Sequence, residues 1–410
     1  MRLEYQFPNI PELKKLSIVV ENKGDIVRAA ISGTNSLWIR FLIKFYFGFH
    51  NKIGTLARLN GSNVYSMYLP PFPSLAHARM FEVFLSSVLF KRKIPMAVTI
   101  GVTTGCQYHC VHCSAKGRSK SRPDLSFDEL QRTVKQCLDL GVTNITFTGG
   151  EPLLREDLEQ LISSISPDQA ISQVFTNGLA LTPERAKSLK DVGIFGVQIS
   201  LDSADPAEHD RLRGLNGAFR TVEEGVRNAL DAGLLVGIST YATRQNALSH
   251  NIIPIADLCA QWGVHEISIF DAIKTGGLSN QENITLNRVS RKVLLKDSLL
   301  VNKKYQKIPR VITQSWTNSG SGFSRFIGCL AANRQFHITA QGDFTPCDFT
   351  PLSFGNVRTE SVKSLWEKLI RHPAYCQHQL SCRMQDPFFR KQYIDTIPEK
   401  ADLPYAISDL

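Results

Sequence analysis

The chain lacks any long apolar segment. A helix that crosses a bilayer needs about 18 or more consecutive apolar residues without charge, and no such run occurs in these 410 residues. The best candidate, residues 37–49, is shorter and contains Arg40 and Lys44. The first ten residues are polar and include Pro8, which argues against a secretory signal. We therefore expect a cytoplasmic protein, with any membrane contact limited to peripheral contact on the inner face.

Acidic residues are scarce at the N-terminus. Residues 1–95 contain thirteen Lys or Arg but five Asp or Glu, a net charge of +8 out of +10 for the chain. Residues 37–59 form an aromatic and basic stretch that we expect to be helical, so we expect a helical basic N-terminal extension. Such a region attracts anionic surfaces, substrates or partners, or is simply solvated. The stretch either lies in a membrane interface, grips an anionic lipid-like substrate or packs on the rest of the protein. We expect no nucleic-acid partner.

Nine cysteines are present, and a cytosolic chain of this size needs no disulfide framework. Cys137 and Cys259 lie on the apolar sides of helical patterns, so we expect them in the core. The others form one group near residue 110 and one near the C-terminus, and clustered cytosolic thiols point to metal. These seven candidate ligands are Cys106, Cys110, Cys113, Cys329, Cys347, Cys376 and Cys382.

Strand-like and helical patterns alternate from residue 97 to about residue 270. Capping signals precede three of the helical patterns, at Ser126, at Thr182 with Pro183, and at Thr221. Six strand–helix alternations predict an α/β fold with a parallel sheet covered by helices, either an open sheet or a closed or partial barrel. The predicted strands are residues 98–103, 143–148, 172–176, 194–201, 235–241 and 264–270.

The first cysteine group directly follows the first predicted strand. Cys106, Cys110 and Cys113 offer three thiolates within eight residues, at the sheet edge where ligands gather in parallel α/β folds. Three thiolates suit a 4Fe–4S cluster that keeps one iron free of protein ligands. The alternative is a zinc site completed by His109 or His112.

The spacing Cys106-x3-Cys110-x2-Cys113 resembles the signature of the radical S-adenosylmethionine (radical SAM) superfamily. Residues 148–152, Thr-Gly-Gly-Glu-Pro, resemble that family's second motif and again follow a predicted strand. The resemblance implies a partial (β/α)6 TIM-like barrel over residues 96–310. It also implies an oxidoreductase or maturase in which a 4Fe–4S cluster chelates S-adenosylmethionine and cleaves it to a 5′-deoxyadenosyl radical. A reduced flavodoxin or ferredoxin would supply the electron.

The resemblance also implies cofactor contacts. Gly149, Gly150 and Glu151 would face the methionine amino group, and His112 would contact adenine. Ser200 and Asp202 would bind the ribose or the methionine end, Arg213 would pair with the methionine carboxylate, and Asn177 would line the pocket. The alternatives are helix capping and surface pairing for Ser200, Asp202 and Arg213, and an ordinary turn for Asn177. No residue is assigned as a catalytic acid, base or nucleophile.

The second cysteine group resembles the SPASM extension and its shorter twitch variant, which carry auxiliary iron–sulfur clusters. Cys329, Gly342 and Cys347 have the spacing of its opening, and Cys376 with Cys382 completes a set of four. The chain has too few cysteines for two auxiliary clusters, so one 4Fe–4S cluster is expected. A zinc clip, or exposed thiols at Cys376 and Cys382, are the alternatives. We expect a small C-terminal domain at 320–390 and a tail at 391–410, after the extension at 1–95 and the core at 96–310.

The sequence says least about the substrate. We expect a peptide or protein side chain, and alternatively an anionic or membrane-associated small molecule such as a lipid or tetrapyrrole. A further alternative is an iron–sulfur or zinc protein without catalysis. The loop at 116–122 holds four cations in seven residues, which either steer an anionic group or are solvated.

Overall fold

The N-terminal region contains strands as well as the expected helix in the computed structural model, which describes residues 1–313 and 328–410. Three antiparallel strands in the order β1-β2-β3 form a small sheet. The predicted helix ends earlier than expected, because Gly54 takes a left-handed φ of 68°. The elements are β1 (Arg2–Gln6), β2 (Ser17–Lys23), β3 (Ile26–Ser32), α1 (Leu37–Ile53), β4 (Ala57–Leu59), β5 (Ser62–Val64) and α2 (Leu75–Phe90).

A large parallel sheet forms the centre of the molecule. All six predicted strands are present, each with bounds within two residues of those expected. They are β6 (Ala97–Gly101), β7 (Asn144–Thr148), β8 (Ile171–Thr176), β9 (Gly196–Ser200), β10 (Leu235–Ala242) and β11 (Glu266–Asp271). Two more parallel strands extend the sheet, and an antiparallel strand borders it. These are β12 (Arg310–Thr313), β13 (Gln335–Ile338) and β14 (Phe344–Thr345).

The strand order is β12-β11-β10-β9-β8-β7-β6-β13-β14, as in a partial TIM barrel. Helices connect the strands and cover the outer face of the sheet. The helices are α3 (Phe127–Leu140), α4 (Leu158–Ser163), α5 (Pro183–Asp191), α6 (Pro206–Arg213), α7 (Ala218–Asp231), α8 (Arg244–Leu248), α9 (Ile252–Trp262) and α10 (Arg288–Tyr305). Cys137 and Cys259 are fully buried between sheet and helices, as predicted.

Two of the three predicted helix starts are confirmed. The Ser126 hydroxyl accepts from the backbone N–H of Glu129 in a reciprocal capping box, and Thr182 caps α5. The prediction for Thr221 is wrong, because α7 begins one turn earlier, after Gly217. Asp210 accepts from the backbone N–H of Gly217 at 2.5 Å and so fixes the earlier start. Thr221 instead donates to a carbonyl within the helix.

The C-terminal part of the chain is joined to the barrel by its sheet. β13 pairs in parallel with β6, and the Arg358 Nε atom lies 2.8 Å from the carboxylate of Glu129, in the first turn of α3. The tail returns to this region, because β16 pairs with β15. In the described residues the other strands and α-helices of this part are β15 (Leu352–Ser353), α11 (Val362–Arg371), α12 (Pro387–Phe389) and β16 (Tyr405–Ala406). In the part of the chain that the structure describes, no helix is long and apolar enough to cross a membrane.

Residues 64–68 close the end of the barrel at which the strands begin. The Glu266 carboxylate accepts hydrogen bonds from the Ser66 hydroxyl and the Met67 backbone N–H, each at 3.1 Å. The Asn144 side chain donates to the Tyr68 carbonyl at 3.1 Å. Ligands of the barrel must therefore be bound at its opposite end, where the strands finish.

Glu266 should make stability depend on pH. Burial raises its pKa from the usual 4.5 to about 7, against the smaller opposing effect of its hydrogen bonds. Between these values the folded state holds a proton that the unfolded state has lost, so the free energy of unfolding falls as pH rises. We expect Glu266→Gln, which keeps the acceptor oxygen, to be more stable than the wild type by about 3 kcal/mol at pH 8 but not at pH 4. Urea unfolding at both pH values measures the difference, and equal pH dependence of the two proteins would contradict the assignment.

Candidate active site

The first cysteine loop, residues 102–118, lies at the end of the barrel where the strands finish. The second motif, the last turn of α6 and the loop after β11 hold its backbone. The Glu151 N–H donates to the Gly105 carbonyl at 2.7 Å, and the Val111 N–H donates to the Leu212 carbonyl at 3.0 Å. The loop after β11 completes the enclosure through the Gly277 N–H, which donates to the Cys113 carbonyl at 2.9 Å. These backbone contacts therefore position the segment that carries the three cysteines.

The loop contains three thiols that form no disulfide. Cys106 is exposed, and Cys110 and Cys113 are half-buried. Burial raises the pKa of the Cys106 and Cys110 thiols, whereas iron binds the thiolate form. The Arg213 guanidinium lies 3.8 Å from the Cys110 sulfur and favours its thiolate. A reachable trio of thiols with an adjacent cation suits the iron–sulfur cluster expected from the sequence.

A buried ion pair lies beside the cysteines. The Arg213 Nε atom is 2.7 Å from the Asp202 carboxylate, and the His112 Nε2 atom is 3.5 Å from the same oxygen. The His112 ring stacks on Tyr241 with centroids 4.0 Å apart, and burial lowers its pKa to about 4. His112 is therefore an uncharged aromatic surface near neutral pH. The structure thus brings together three residues that the sequence analysis placed around the cofactor.

The Glu151 carboxylate accepts hydrogen bonds from other residues of the chain. Its buried carboxylate accepts from the Leu153 N–H at 3.1 Å, the Thr176 hydroxyl at 2.7 Å and the Asn177 N–H at 2.8 Å. Burial raises its pKa, against these hydrogen bonds. Glu151 therefore joins the ends of β7 and β8, and its predicted contact with the methionine amino group stays a prediction.

Two weaker candidates line the same end of the barrel. The Asn177 side-chain oxygen accepts from the Leu179 N–H at 3.0 Å, which forms the turn expected as an alternative. Its amide nitrogen is buried without a hydrogen-bond partner among the described residues, so it remains available to a ligand. The Ser200 hydroxyl lies 3.2 Å from that of Ser239 on the neighbouring strand.

Gly150 is required for the close approach of two loops. A Cβ atom at this position would lie 2.0 Å from the carbonyl oxygen of Gly105, which no side chain can do without moving the backbone. Gly149 has a φ of 136°, and its Cβ would lie 2.4 Å from the Thr103 carbonyl oxygen. The two glycines therefore let the second motif contact the loop that carries Cys106.

The second cysteine group is brought together in part. Cys329, Cys347 and Cys382 interact electrostatically with one another, and burial raises the pKa of Cys347 to about 12. Cys376 is exposed, and its thiol lies 3.6 Å from the Pro373 carbonyl oxygen. The structure therefore collects three of the four predicted auxiliary ligands.

In the described ranges, no three His, Cys, Asp or Glu side chains lie close enough together to hold a single metal ion as they stand. The thiolates of an iron–sulfur cluster bind separate iron atoms at its corners, which is a wider arrangement.

The cationic loop at 116–122 divides into two parts. Arg118 turns inward to His337, and Arg122 pairs with Asp343 through contacts of 2.6 and 2.8 Å. Lys116 and Lys120 are exposed. At most half of the four cations remain available to steer an anionic group.

Several site residues were missed from the sequence. Tyr241 belongs to the site because its ring stacks on His112. Gly277 belongs to it because its N–H contacts the first cysteine loop. His209 is fully buried, and its Nδ1 atom accepts from the Asp202 N–H at 3.2 Å. The only available signal was their location near strand ends, which does not reveal which loops meet.

Residues 100–244 match the family described as the Radical SAM superfamily, and residues 329–390 match SPASM, an iron–sulfur cluster-binding domain. The AdoMet-dependent heme synthase of Nitratidesulfovibrio vulgaris is 32% identical over 289 residues, which are 65% of this chain and 77% of that relative. The PqqA peptide cyclase of Rhizobium meliloti is 25% identical over 301 residues, 68% of this chain and 76% of that one.

The fold is also similar to that of a solved structure. Streptococcus suis SuiB, in its crystal structure bound to the precursor peptide SuiA, matches with a TM-score of 0.58 at 16% identity. The match covers 85% of this chain and 84% of that chain. At this identity the likeness concerns the fold alone, and it confirms the predicted partial barrel.

The barrel with three cysteines at its strand ends is that of an enzyme working through an iron–sulfur cluster and S-adenosylmethionine, and the chain belongs to the radical SAM superfamily. Its C-terminal part is a SPASM iron–sulfur domain, so an auxiliary iron–sulfur cluster is a further cofactor. The family resemblance drawn from the two motifs is confirmed, and so are the predicted cofactors.

Proposed function

We propose that Cys106, Cys110 and Cys113 hold the cluster that cleaves S-adenosylmethionine, and that the resulting radical abstracts hydrogen from a peptide or protein side chain. When bound, the cluster and S-adenosylmethionine supply the 5′-deoxyadenosyl radical. The observation that carries the proposal is the trio of thiols without disulfides, held at one end of the barrel by backbone contacts from two loops and the last turn of α6. The chain's own residues position the cofactor and shield the site from water.

The cofactor contacts predicted from the sequence remain proposals, and the role proposed for each residue takes its observed contacts into account. Arg213 and Asp202 form one buried unit that fixes Cys110 and His112, and the His112 ring offers an aromatic face to adenine. The backbone of Gly149 and Gly150 approaches the first cysteine loop, and Asn177 offers a buried amide N–H. Ser200 lies on the neighbouring strand and is proposed to bind the ribose or methionine end.

For the auxiliary cluster we propose Cys329, Cys347 and Cys382 as ligands. The fourth ligand predicted from the sequence, Cys376, is exposed and is not included, and a pair of variants tests this choice. We expect Cys382→Ser to remove the auxiliary cluster and lower bound iron from about eight to about four atoms per chain, and Cys376→Ser to leave it near eight. Iron and sulfide analysis with Mössbauer spectra measures both. Equal iron loss in the two variants would make Cys376 a ligand.

The division of the chain into domains at 1–95, 96–310, 320–390 and 391–410 likewise remains a proposal.

The N-terminal sheet supports a peptide substrate. Among the described residues β3 pairs with β2 alone, and its other edge is bound at Val27 by the Asn51 side chain of α1, with contacts of 2.6 and 3.1 Å. An extended peptide can add through main-chain hydrogen bonds to the part of this edge beyond Val27, which pairs with no other strand in the described residues. The net charge of residues 1–95 favours an acidic peptide. The names of two similar proteins, PqqA peptide cyclase and SuiB with its precursor peptide, fit the same class of substrate.

A tetrapyrrole is the second candidate substrate. The observation that favours it is the likeness to AdoMet-dependent heme synthase, which has the higher sequence identity of the two relatives compared above. The carboxylates of such a molecule would be attracted by the exposed Lys116 and Lys120 beside the first cysteine loop.

Deuterium transfer distinguishes the two substrates. The protein is reconstituted without air, reduced with dithionite and supplied with S-adenosylmethionine plus either a deuterated short peptide encoded beside the gene or a deuterated carboxylated iron porphyrin. We expect 5′-deoxyadenosine to form and to acquire deuterium from the peptide. Deuterium from the porphyrin alone would replace the peptide by the second candidate. A protein that holds iron but forms no 5′-deoxyadenosine would contradict the reaction itself.

Peripheral contact with an anionic membrane is a separate proposal for α1. Leu37 and Trp38 are 84% and 60% exposed, and Trp38 stacks on Phe41 with centroids 5.9 Å apart. The helix has no acidic residue, and it carries Arg40 and Lys44. Such a surface suits a lipid interface. We expect flotation with vesicles of anionic lipid to be lost in Trp38→Ser, and no flotation of the wild type would exclude the contact.

A further inference from the structure

A row of polar groups connects the two cysteine groups. Arg118, five residues after Cys113, has its Nη1 atom 3.1 Å from the His337 Nε2 atom. Its Nη2 atom donates to the backbone carbonyl of Asp348 at 2.5 Å. His337 lies in β13, and Asp348 directly follows Cys347. The guanidinium is thus placed between the first cysteine loop and the auxiliary ligands, and it interacts electrostatically with the thiols of both Cys113 and Cys347.

Both groups that Arg118 contacts are uncharged. Because its N–H donates to the His337 Nε2 atom, that nitrogen must present a lone pair, so the ring is neutral and carries its hydrogen at Nδ1. The Nδ1 atom lies 3.2 Å from the Asp348 carboxylate. The other nearby carboxylate, that of Asp343, pairs with Arg122 at 2.6 Å. Asp348 and Asp343 also interact electrostatically with Arg118, so its positive charge acts on these two carboxylates as well as on the thiols of Cys113 and Cys347.

A fixed charge in this position must affect both clusters. Adding an electron to an iron–sulfur cluster adds negative charge, and the reduction potential of a cluster depends on nearby charge, hydrogen bonds and solvent exposure. The effect is large where water is excluded, since the local dielectric constant is then low. Arg118 is half-buried, and its main chain is held through an N–H donated to the Ala115 carbonyl at 3.1 Å. Its charge cannot move away when either cluster is reduced.

We propose that Arg118 sets the reduction potentials of both clusters together, by stabilising the reduced form of each through one guanidinium located between them. The proposal rests on the proposed function, since it requires a cluster at each cysteine group. The cysteine ligands make the clusters possible, and Arg118 makes them easier to reduce. Arg118 thus places a positive charge near both clusters and touches no reacting atom.

The test is a redox titration of the full chain, reconstituted with iron and sulfide. Dithionite is the reductant, and electron paramagnetic resonance measures the reduced fraction of each cluster. We expect Arg118→Gln to shift the midpoint potentials of both clusters to more negative values. Lys120→Gln is the matched control, because it removes the same charge from an exposed position of the same loop, and we expect it to leave both potentials unchanged.

Three results would overturn the proposal. The first is wild-type potentials in an Arg118→Gln protein that holds its full iron content. The second is an equal shift in Lys120→Gln. If Arg118→Gln loses iron, Arg118→Lys provides the test, because it keeps the charge but not the two-pronged hydrogen bonding. Potentials of Arg118→Lys near those of the wild type support the proposal. A large negative shift of the potentials in Arg118→Lys is the third adverse result. A wild-type protein without iron would instead contradict the proposed function.

Discussion

Cys106→Ala is expected to abolish formation of 5′-deoxyadenosine, and Cys347→Ala is expected to leave it largely intact while stopping turnover of the substrate. The reason lies in the two separate cysteine groups. Removing Cys106 leaves the first loop with two thiolates, too few to hold the cluster that binds S-adenosylmethionine. Removing Cys347 affects the auxiliary cluster, which is held by other elements of the fold. Chromatography of 5′-deoxyadenosine and of the modified substrate measures the two effects separately.

The control for these variants is Cys376→Ser, which removes a thiol from an exposed position of the same protein. We expect it to retain both activities. Unchanged 5′-deoxyadenosine formation in Cys106→Ala would refute the assignment of the first loop. An unchanged yield of modified substrate in Cys347→Ala would mean that the auxiliary cluster has no part in turnover.

Gly150→Ala is expected to destroy the first cluster site without removing any ligand. The added methyl carbon would meet the Gly105 carbonyl oxygen at 2.0 Å, so the first cysteine loop must move away from the second motif. Overpacking of this kind costs about 1–3 kcal/mol of stability, and here the strain falls on the residue next to Cys106. We expect the melting temperature to fall and bound iron to drop to about four atoms per chain, those of the auxiliary cluster.

Gly48→Ala is the matched control for this change. Gly48 lies within α1, and a Cβ there would meet no atom within 4 Å. Alanine favours a helix over glycine by about 1 kcal/mol, so this variant should melt at or above the wild-type temperature and bind iron normally. If Gly150→Ala also kept its iron and its melting temperature, the close contact between the two motifs would not be needed for the site.

The barrel strands and the place of the first cysteine group after the first of them were predictable because their signals are local. Six apolar runs alternate with capped helical patterns, and the three cysteines lie within eight residues of one another. The start of α7 was mispredicted for the opposite reason. Thr221 has the right neighbours for a cap, but Asp210, eleven residues earlier, fixes the helix start through the Gly217 N–H. This contact joins two separate turns of the chain, and the residue spacing within either turn does not reveal it.

The rest of the site depends on which loops meet. Nothing in the sequence around Arg118 distinguishes it from Lys116, Lys120 and Arg122, yet it alone of the four reaches His337, in a strand more than two hundred residues later. Spacing does not distinguish Cys376 from Cys382 as a ligand, but Cys376 is exposed, whereas Cys382 is half-buried and interacts electrostatically with Cys329 and Cys347. Side-chain direction in irregular backbone follows from tertiary packing, which spacing does not encode.

The continuous sheet has a consequence for electron flow. In the described residues β13 is hydrogen-bonded to β6, the strand that leads into the first cysteine loop, so the auxiliary domain and the barrel share one sheet. We expect this shared sheet to keep the two cysteine groups at a constant separation, which would fix the distance for any electron transfer between their clusters. The rate of electron transfer in this protein would then be adjusted through the side chains around the clusters.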